Sequence, residues 1–81
     1  MIVLCVSADP VRQTEFKIFN EGTLIFEDKC WARDVEQVAQ KIYLKYAVDN
    51  VVVTGATIFS RKIENTLKDI FGTTKVRRAL E

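Results

Sequence analysis

Ile2-Val3-Leu4-Cys5-Val6-Ser7-Ala8-Asp9-Pro10 (residues 2–10) and Val51-Val52-Val53-Thr54-Gly55-Ala56-Thr57 (residues 51–57) share one pattern: an apolar run that stops at a turn carrying hydroxyls, an acid or a glycine. A strand exposed on one side alternates apolar and polar residues, whereas an unbroken run is the pattern of a strand covered on both faces. The two runs therefore predict adjacent parallel strands at the centre of a sheet, with Cys5 and Val52 almost fully buried. Ligands of open α/β sheets bind beyond the carboxyl ends of such strands. That makes Ser7, Asp9, Thr54, Gly55 and Thr57 the candidate ligand-binding residues.

Between the runs, Glu15 to Phe19 and Thr23 to Glu27 read as strands joined through Asn20-Glu21-Gly22, where Gly22 supplies the positive φ of a short hairpin. A helix is expected from Asp34, whose carboxylate can cap the first turn with Gln37 in the reciprocal position. Val35, Val38, Ala39, Ile42, Tyr43 and Tyr46 recur at helical spacing and form the stripe that covers the sheet. A second helix from Thr57 or Ser60 to Phe71 sets Phe59, Ile63, Leu67 and Ile70 on one face and stops at Gly72. Thr73 to Arg78 offers a last strand. The order β-β-β-α-β-α-β contains two helix-bearing crossovers, so the later strands run parallel to the first. The fold class is a five-stranded mixed α/β sheet.

At 81 residues the chain is read as one domain, 1–81, with the Leu80-Glu81 dipeptide treated as a vector scar. It is 48% hydrophobic and 28% charged, an ordinary globular balance. A net charge of +1 creates no global field toward nucleic acid or an anionic membrane. No stretch approaches the ~20 apolar residues of a membrane span, and the apolar start is too short for a signal core, so a cytoplasmic protein is expected. There is no histidine, and the two cysteines lack CxxC spacing, which argues against zinc, haem and Cys-His or Ser-His catalysis. Cys5 and Cys30 read as reduced thiols packed as small hydrophobes. No cofactor and no metal is expected.

The topology, with Asp9-Pro10 at the end of the first strand, resembles the ribonuclease H-like superfamily. In Holliday-junction resolvases of that superfamily the first strand ends in an Asp, often followed by Pro and Gly, that helps hold a divalent metal. Val3 to Glu27 is similar to the opening of acetate and butyrate kinases. Asn50 to Ala56, followed by a helix closing at Phe71-Gly72, resembles the second nucleotide loop of actin-like ATPases.

Departures from these patterns limit what the resemblance implies. Val11 stands where a Gly would let the backbone approach phosphate, and its branched side chain resists positive φ. Ala56 replaces a second glycine, and actin-like kinases need two such domains around a cleft. Two-metal chemistry needs three or four converging carboxylates. Thr54-Gly55 occupies the place of the second one, leaving Asp9 with Glu36 or the distant Asp69. Asp9 is then a turn cap. Arg61, Lys62, Lys75, Arg77 and Arg78 form a candidate basic edge for phosphates, interrupted by Glu64 and Asp69. Trp31, Cys30 and Tyr43 are read either as a surface patch or as core.

Three functions follow. The first is a non-catalytic interaction module, not an enzyme, that self-associates as a homodimer or binds another protein, because the edge strands Thr23 to Glu27 and Thr73 to Arg78 invite pairing. The second is nucleotide or nucleic-acid binding at the turns after the first and fourth strands. The third is a divergent metal-dependent nuclease centred on Asp9.

Overall fold

A computed structural model describes residues 1–9, 11–55 and 57–79, residues 57–59 by their backbone alone. Expectations for Pro10, Ala56 and Leu80-Glu81, and for the side chains of Thr57 and Phe59, lie outside the described residues. The elements are β1 (Ile2–Ala8), β2 (Thr14–Asn20), β3 (Thr23–Cys30), a 3-10 turn (Ala32–Asp34), α1 (Val35–Lys45), β4 (Asn50–Gly55), α2 (Thr57–Phe71) and β5 (Val76–Arg78).

The sheet order is β3-β2-β1-β4-β5, with β1 in the middle. β1 and β3 flank β2 antiparallel, while β4 pairs parallel with both β1 and β5. This is the mixed sheet that the element order implies. The β2–β3 hairpin closes through Glu21 and Gly22 at φ 51° and 83°. Positive φ at both central residues makes it a turn whose twist matches the strands. Gly22 takes the positive φ that the sequence predicts for it, and Glu21 shares the left-handed region.

Register decides which side chains share a face, because directly opposed residues point the same way. Leu4 lies opposite Ile18 and Val51, Val6 opposite Phe16 and Val53, and Val51 opposite Val76. All are buried, in one core with Val35, Ala39 and Ile42 of α1 and Ile63, Leu67 and Phe71 of α2. Both helices cover this face. The other face carries Val3, Cys5 and Ser7 of β1 with Phe19, Lys17 and Glu15 of β2 and Asn50, Val52 and Thr54 of β4, and none of these is buried.

That arrangement corrects one expectation. Cys5 and Val52 are indeed partners on adjacent parallel central strands, but both are only half-buried. An unbroken apolar run permits cover on both faces and does not supply it. With both helices on one side, the second face meets no helical layer among the described residues.

Other boundaries move for local reasons. Asp34 stands before α1, yet its carboxylate makes no capping hydrogen bond, because the chain enters through a 3-10 turn closed by the Asp34 N–H on the Trp31 carbonyl. Tyr43 is exposed and meets Phe71 edge-on, with centroids 5.7 Å apart. Tyr46 has left the helix in an extended conformation and packs on Phe26. Trp31 is exposed and Cys30 is buried, so Trp31, Cys30 and Tyr43 do not form one patch. Thr73 to Lys75 form a turn, which shortens the last strand to Val76–Arg78. Gly72 ends α2 as expected, at φ 101° with its N–H on the Lys68 carbonyl.

Thr14 opens β2 on the core face with no exposed surface, and its Oγ1 has no hydrogen-bond partner among the described residues. An unsatisfied buried hydroxyl costs about 1–3 kcal/mol. Thr14→Val keeps the branched shape and removes the hydroxyl, so it is expected to raise stability by about 1 kcal/mol, or ~4–8 °C in Tm for a domain of this size. Thermal melts followed by circular dichroism test it; an unchanged or lower Tm rejects the assignment of an orphaned hydroxyl.

Candidate functional site

β3 runs in the same direction as β1 because each is antiparallel to β2, and β4 runs parallel to β1. The carboxyl ends of all three strands therefore meet at one end of the sheet. The starts of α1 and α2, which follow β3 and β4, lie there too. Helix starts carry unpaired N–H groups and a partial positive charge, and at the start of α1 these lie beside the acids Asp34 and Glu36.

Ser7 and Thr54 are direct partners on the open face, with Glu15 on the other side of Ser7. Together with Cys5, Val6 and Lys17 they line a shallow depression of about 160 Å³. Gly55 pairs with Ala8 at φ 125°. A Cβ at Gly55 would stand 1.9 Å from the Ala8 carbonyl oxygen, so only glycine permits β4 to lie this close to β1.

Asp9 follows β1 and caps its own turn. Its Oδ1 accepts the N–H of Val11 at 2.9 Å and of Arg12 at 3.1 Å. The amides that a phosphate loop would turn toward its ligand are thereby occupied, and Val11 stands 83% exposed. Glycine-type conformations are absent here: among the described residues only Glu21 has positive φ without being glycine. Among the described residues no three His, Cys, Asp or Glu groups come close enough to hold a metal ion. The divalent-metal site of resolvases does not fit this donor set.

The candidate basic edge is divided. Arg61 and Lys62 are exposed on the first turns of α2, at the end of the sheet that carries Asp9. Lys75 lies at the opposite end, where its Nζ donates to the Val48 carbonyl at 3.4 Å. Arg77 points to the open face and Arg78 to the helix face, where its Nε meets Glu64 at 3.7 Å. Glu64 also pairs with Lys68 at 3.0 Å. The separation is geometric: α2 carries the chain about 22 Å back along the sheet before β5 begins, so residues close in sequence pattern end up at opposite ends.

Tertiary structure adds two residues that sequence reasoning did not single out. Arg33, on the 3-10 turn, and Lys62 line a cleft of about 200 Å³ between the starts of α1 and α2, with Glu36 as its acid. Arg33 has one sequence signal, its position just before the expected helix start. Lys17 enters through its place on the open face, paired with Glu27 at 3.7 Å. Neither thiol is activated: burial pushes Cys30 up to about 11, with Asp34 and Asp28 adding to it. Burial also raises Cys5, against a smaller opposing effect of Lys17.

The element order, strand order and two helices on one face define a ribonuclease H-like fold. The chain is similar over 98% of its length to the crystal structure of the fowlpox virus Holliday junction resolvase, with a TM-score of 0.70 and 25% sequence identity. It spans 60% of that protein's length. No protein-family model matches the sequence, and no curated protein matches it. Among the described residues no helix is long and apolar enough to cross a membrane.

Proposed function

We propose that the domain binds nucleic acid at the carboxyl ends of β1 and β4, and that it does so without cutting. The likeness to a Holliday junction resolvase carries this reading, and it favours the nucleic-acid alternative over a protein-interaction module. Phosphates would meet Ser7, Thr54 and the first turn of α2, with Arg33, Arg61 and Lys62 supplying the cations. These groups share one end of the sheet, and helix starts with nearby basic side chains are a recurrent way to hold phosphate. Asp9 organises the turn beside them rather than activating water, since its Oδ1 holds two backbone amides.

Fluorescence anisotropy with labelled four-way junction and duplex DNA at low salt tests the reading. The expected result is binding of the junction that weakens as salt rises, since phosphate contacts release counterions, together with amide shift changes at Ser7, Thr54 and Arg61. Arg61→Glu with Lys62→Glu should weaken binding at least tenfold. No cleavage is expected with magnesium or manganese. Magnesium-dependent cutting that disappears in Asp9→Asn would replace this reading with the nuclease one, and absence of DNA binding at low salt would reject both.

A further inference from the structure

We infer that Trp31 is a stacking platform for an unpaired base, so that the nucleic acid held at this end of the sheet is a strand with at least one base outside a duplex. The inference rests on the nucleic-acid reading above and adds to it the kind of strand that is bound.

Trp31 is the only tryptophan of the chain, and it stands 51% exposed. A buried aromatic side chain contributes about 150–250 Å² of contact, so half of that contribution is withheld from the core here. Place and rigidity point to its use. Cys30 opposes Thr14, and Glu15 opposes Ser7, so Trp31 leaves β3 level with the Asp9 turn. β3 lies two strands from β1 and three from β4, which sets Trp31 ~10–14 Å from the Ser7 and Thr54 pair. A few nucleotides span that distance. The backbone is held on both sides, because Cys30 is buried in the core and the Trp31 carbonyl accepts the Asp34 N–H at 2.9 Å. A ring fixed before binding loses little freedom when a base settles on it.

The charges nearby separate a base from phosphates alone. Arg33, two residues on and so within ~7.6 Å along the chain, shares its cleft with Lys62. The acids Asp34 and Glu36 stand among these cations, with Oδ2 of Asp34 3.9 Å from Nε of Arg33. The positive charge is therefore partly offset, and a duplex, which presents only phosphates and groove edges, gains less from this end. An unpaired base adds a π-face, and stacking on an aromatic side chain is sequence-tolerant and changes affinity on the order of ten- to a hundredfold per base. The other large apolar side chains exposed among the described residues are aliphatic, apart from Tyr43, whose ring meets Phe71 edge-on.

Intrinsic fluorescence of the full chain tests the inference, because all indole emission comes from Trp31. A short single-stranded thymidine oligonucleotide is expected to quench most of that emission, while a blunt duplex of equal length, brought to the same occupancy by anisotropy, leaves it nearly unchanged. Trp31→Ala should weaken single-strand binding about tenfold or more and leave duplex binding and the circular dichroism spectrum unchanged. Trp31→Phe keeps a ring and should restore most of the affinity. A duplex bound as tightly as the single strand, a single-strand complex without quenching, or a Trp31→Ala affinity equal to that of the parent chain overturns the inference and leaves the nucleic-acid reading standing. Failure to bind either probe overturns both. Emission that moves to shorter wavelength with protein concentration alone, and that DNA does not quench, assigns Trp31 to a protein contact instead.

Discussion

Gly55→Ala is expected to unfold the domain or lower its Tm by more than about 15 °C. The alanine Cβ would lie 1.9 Å from the Ala8 carbonyl oxygen and 2.9 Å from its carbon, well inside contact distance. Relief requires β4 to move away from β1 at the centre of the sheet, where Ala8 and Gly55 are partners. The backbone adds to the cost, since φ 125° is rarely accessible to a residue with a side chain. Together these should remove about 3–5 kcal/mol from a total stability of ~5–10 kcal/mol. Gly22→Ala is the control. Gly22 also has positive φ, but its Cβ would meet nothing within 4 Å, so its loss should be about 1 kcal/mol. Denaturant unfolding of the two variants measures the difference. Equal effects would mean that backbone conformation alone, and not the close approach of β4, explains Gly55.

A second contrast separates the two faces of one strand. Val51 has no exposed surface and packs in the core beneath the helices, opposite Leu4 and Val76. Val52, the next residue, points to the open face and is half-buried. Val51→Asp places an unpaired carboxylate in the core at a cost of several kcal/mol, enough to leave the chain unfolded at 25 °C. Val52→Asp should keep the circular dichroism spectrum of the native fold, at a cost of about 1–2 kcal/mol. Circular dichroism and denaturant unfolding of the two variants measure the difference. An unfolded Val52→Asp chain would show that the open face is covered within the domain, against the partial exposure of Cys5 and Val52.

The stretches that the sequence names most clearly are those where local chemistry and tertiary packing agree. Ile2 to Val6 and Val51 to Val53 can bury themselves only as strands, Glu21-Gly22 fits a two-residue hairpin, and Gly72 stops a helix because a left-handed residue satisfies its last carbonyls. Asp9 behaves as its side chain suggests, because a short carboxylate beside free amides caps its own turn. The basic edge was less readable. Arg61, Lys62, Lys75, Arg77 and Arg78 are close in the chain, but α2 and β5 distribute them between two ends and two faces of the sheet. Arg33 joins Lys62 only because α1 and α2 begin side by side.

Element types, their order, the parallel central pair and the hairpin are therefore properties of the sequence alone, since each follows from side-chain periodicity and turn chemistry within a few residues. Which face of the sheet is covered is not. The runs around Cys5 and Val52 are apolar on both sides, and that pattern is the same whether the second layer is a helix, another protein chain or a copy of this one. The tertiary structure decides it by placing α1 and α2 together over Leu4, Val6, Val51 and Val53. It also turns Gly55 from a permissive turn residue into an obligatory one, because the steric limit comes from the Ala8 carbonyl, forty-seven residues away in the chain.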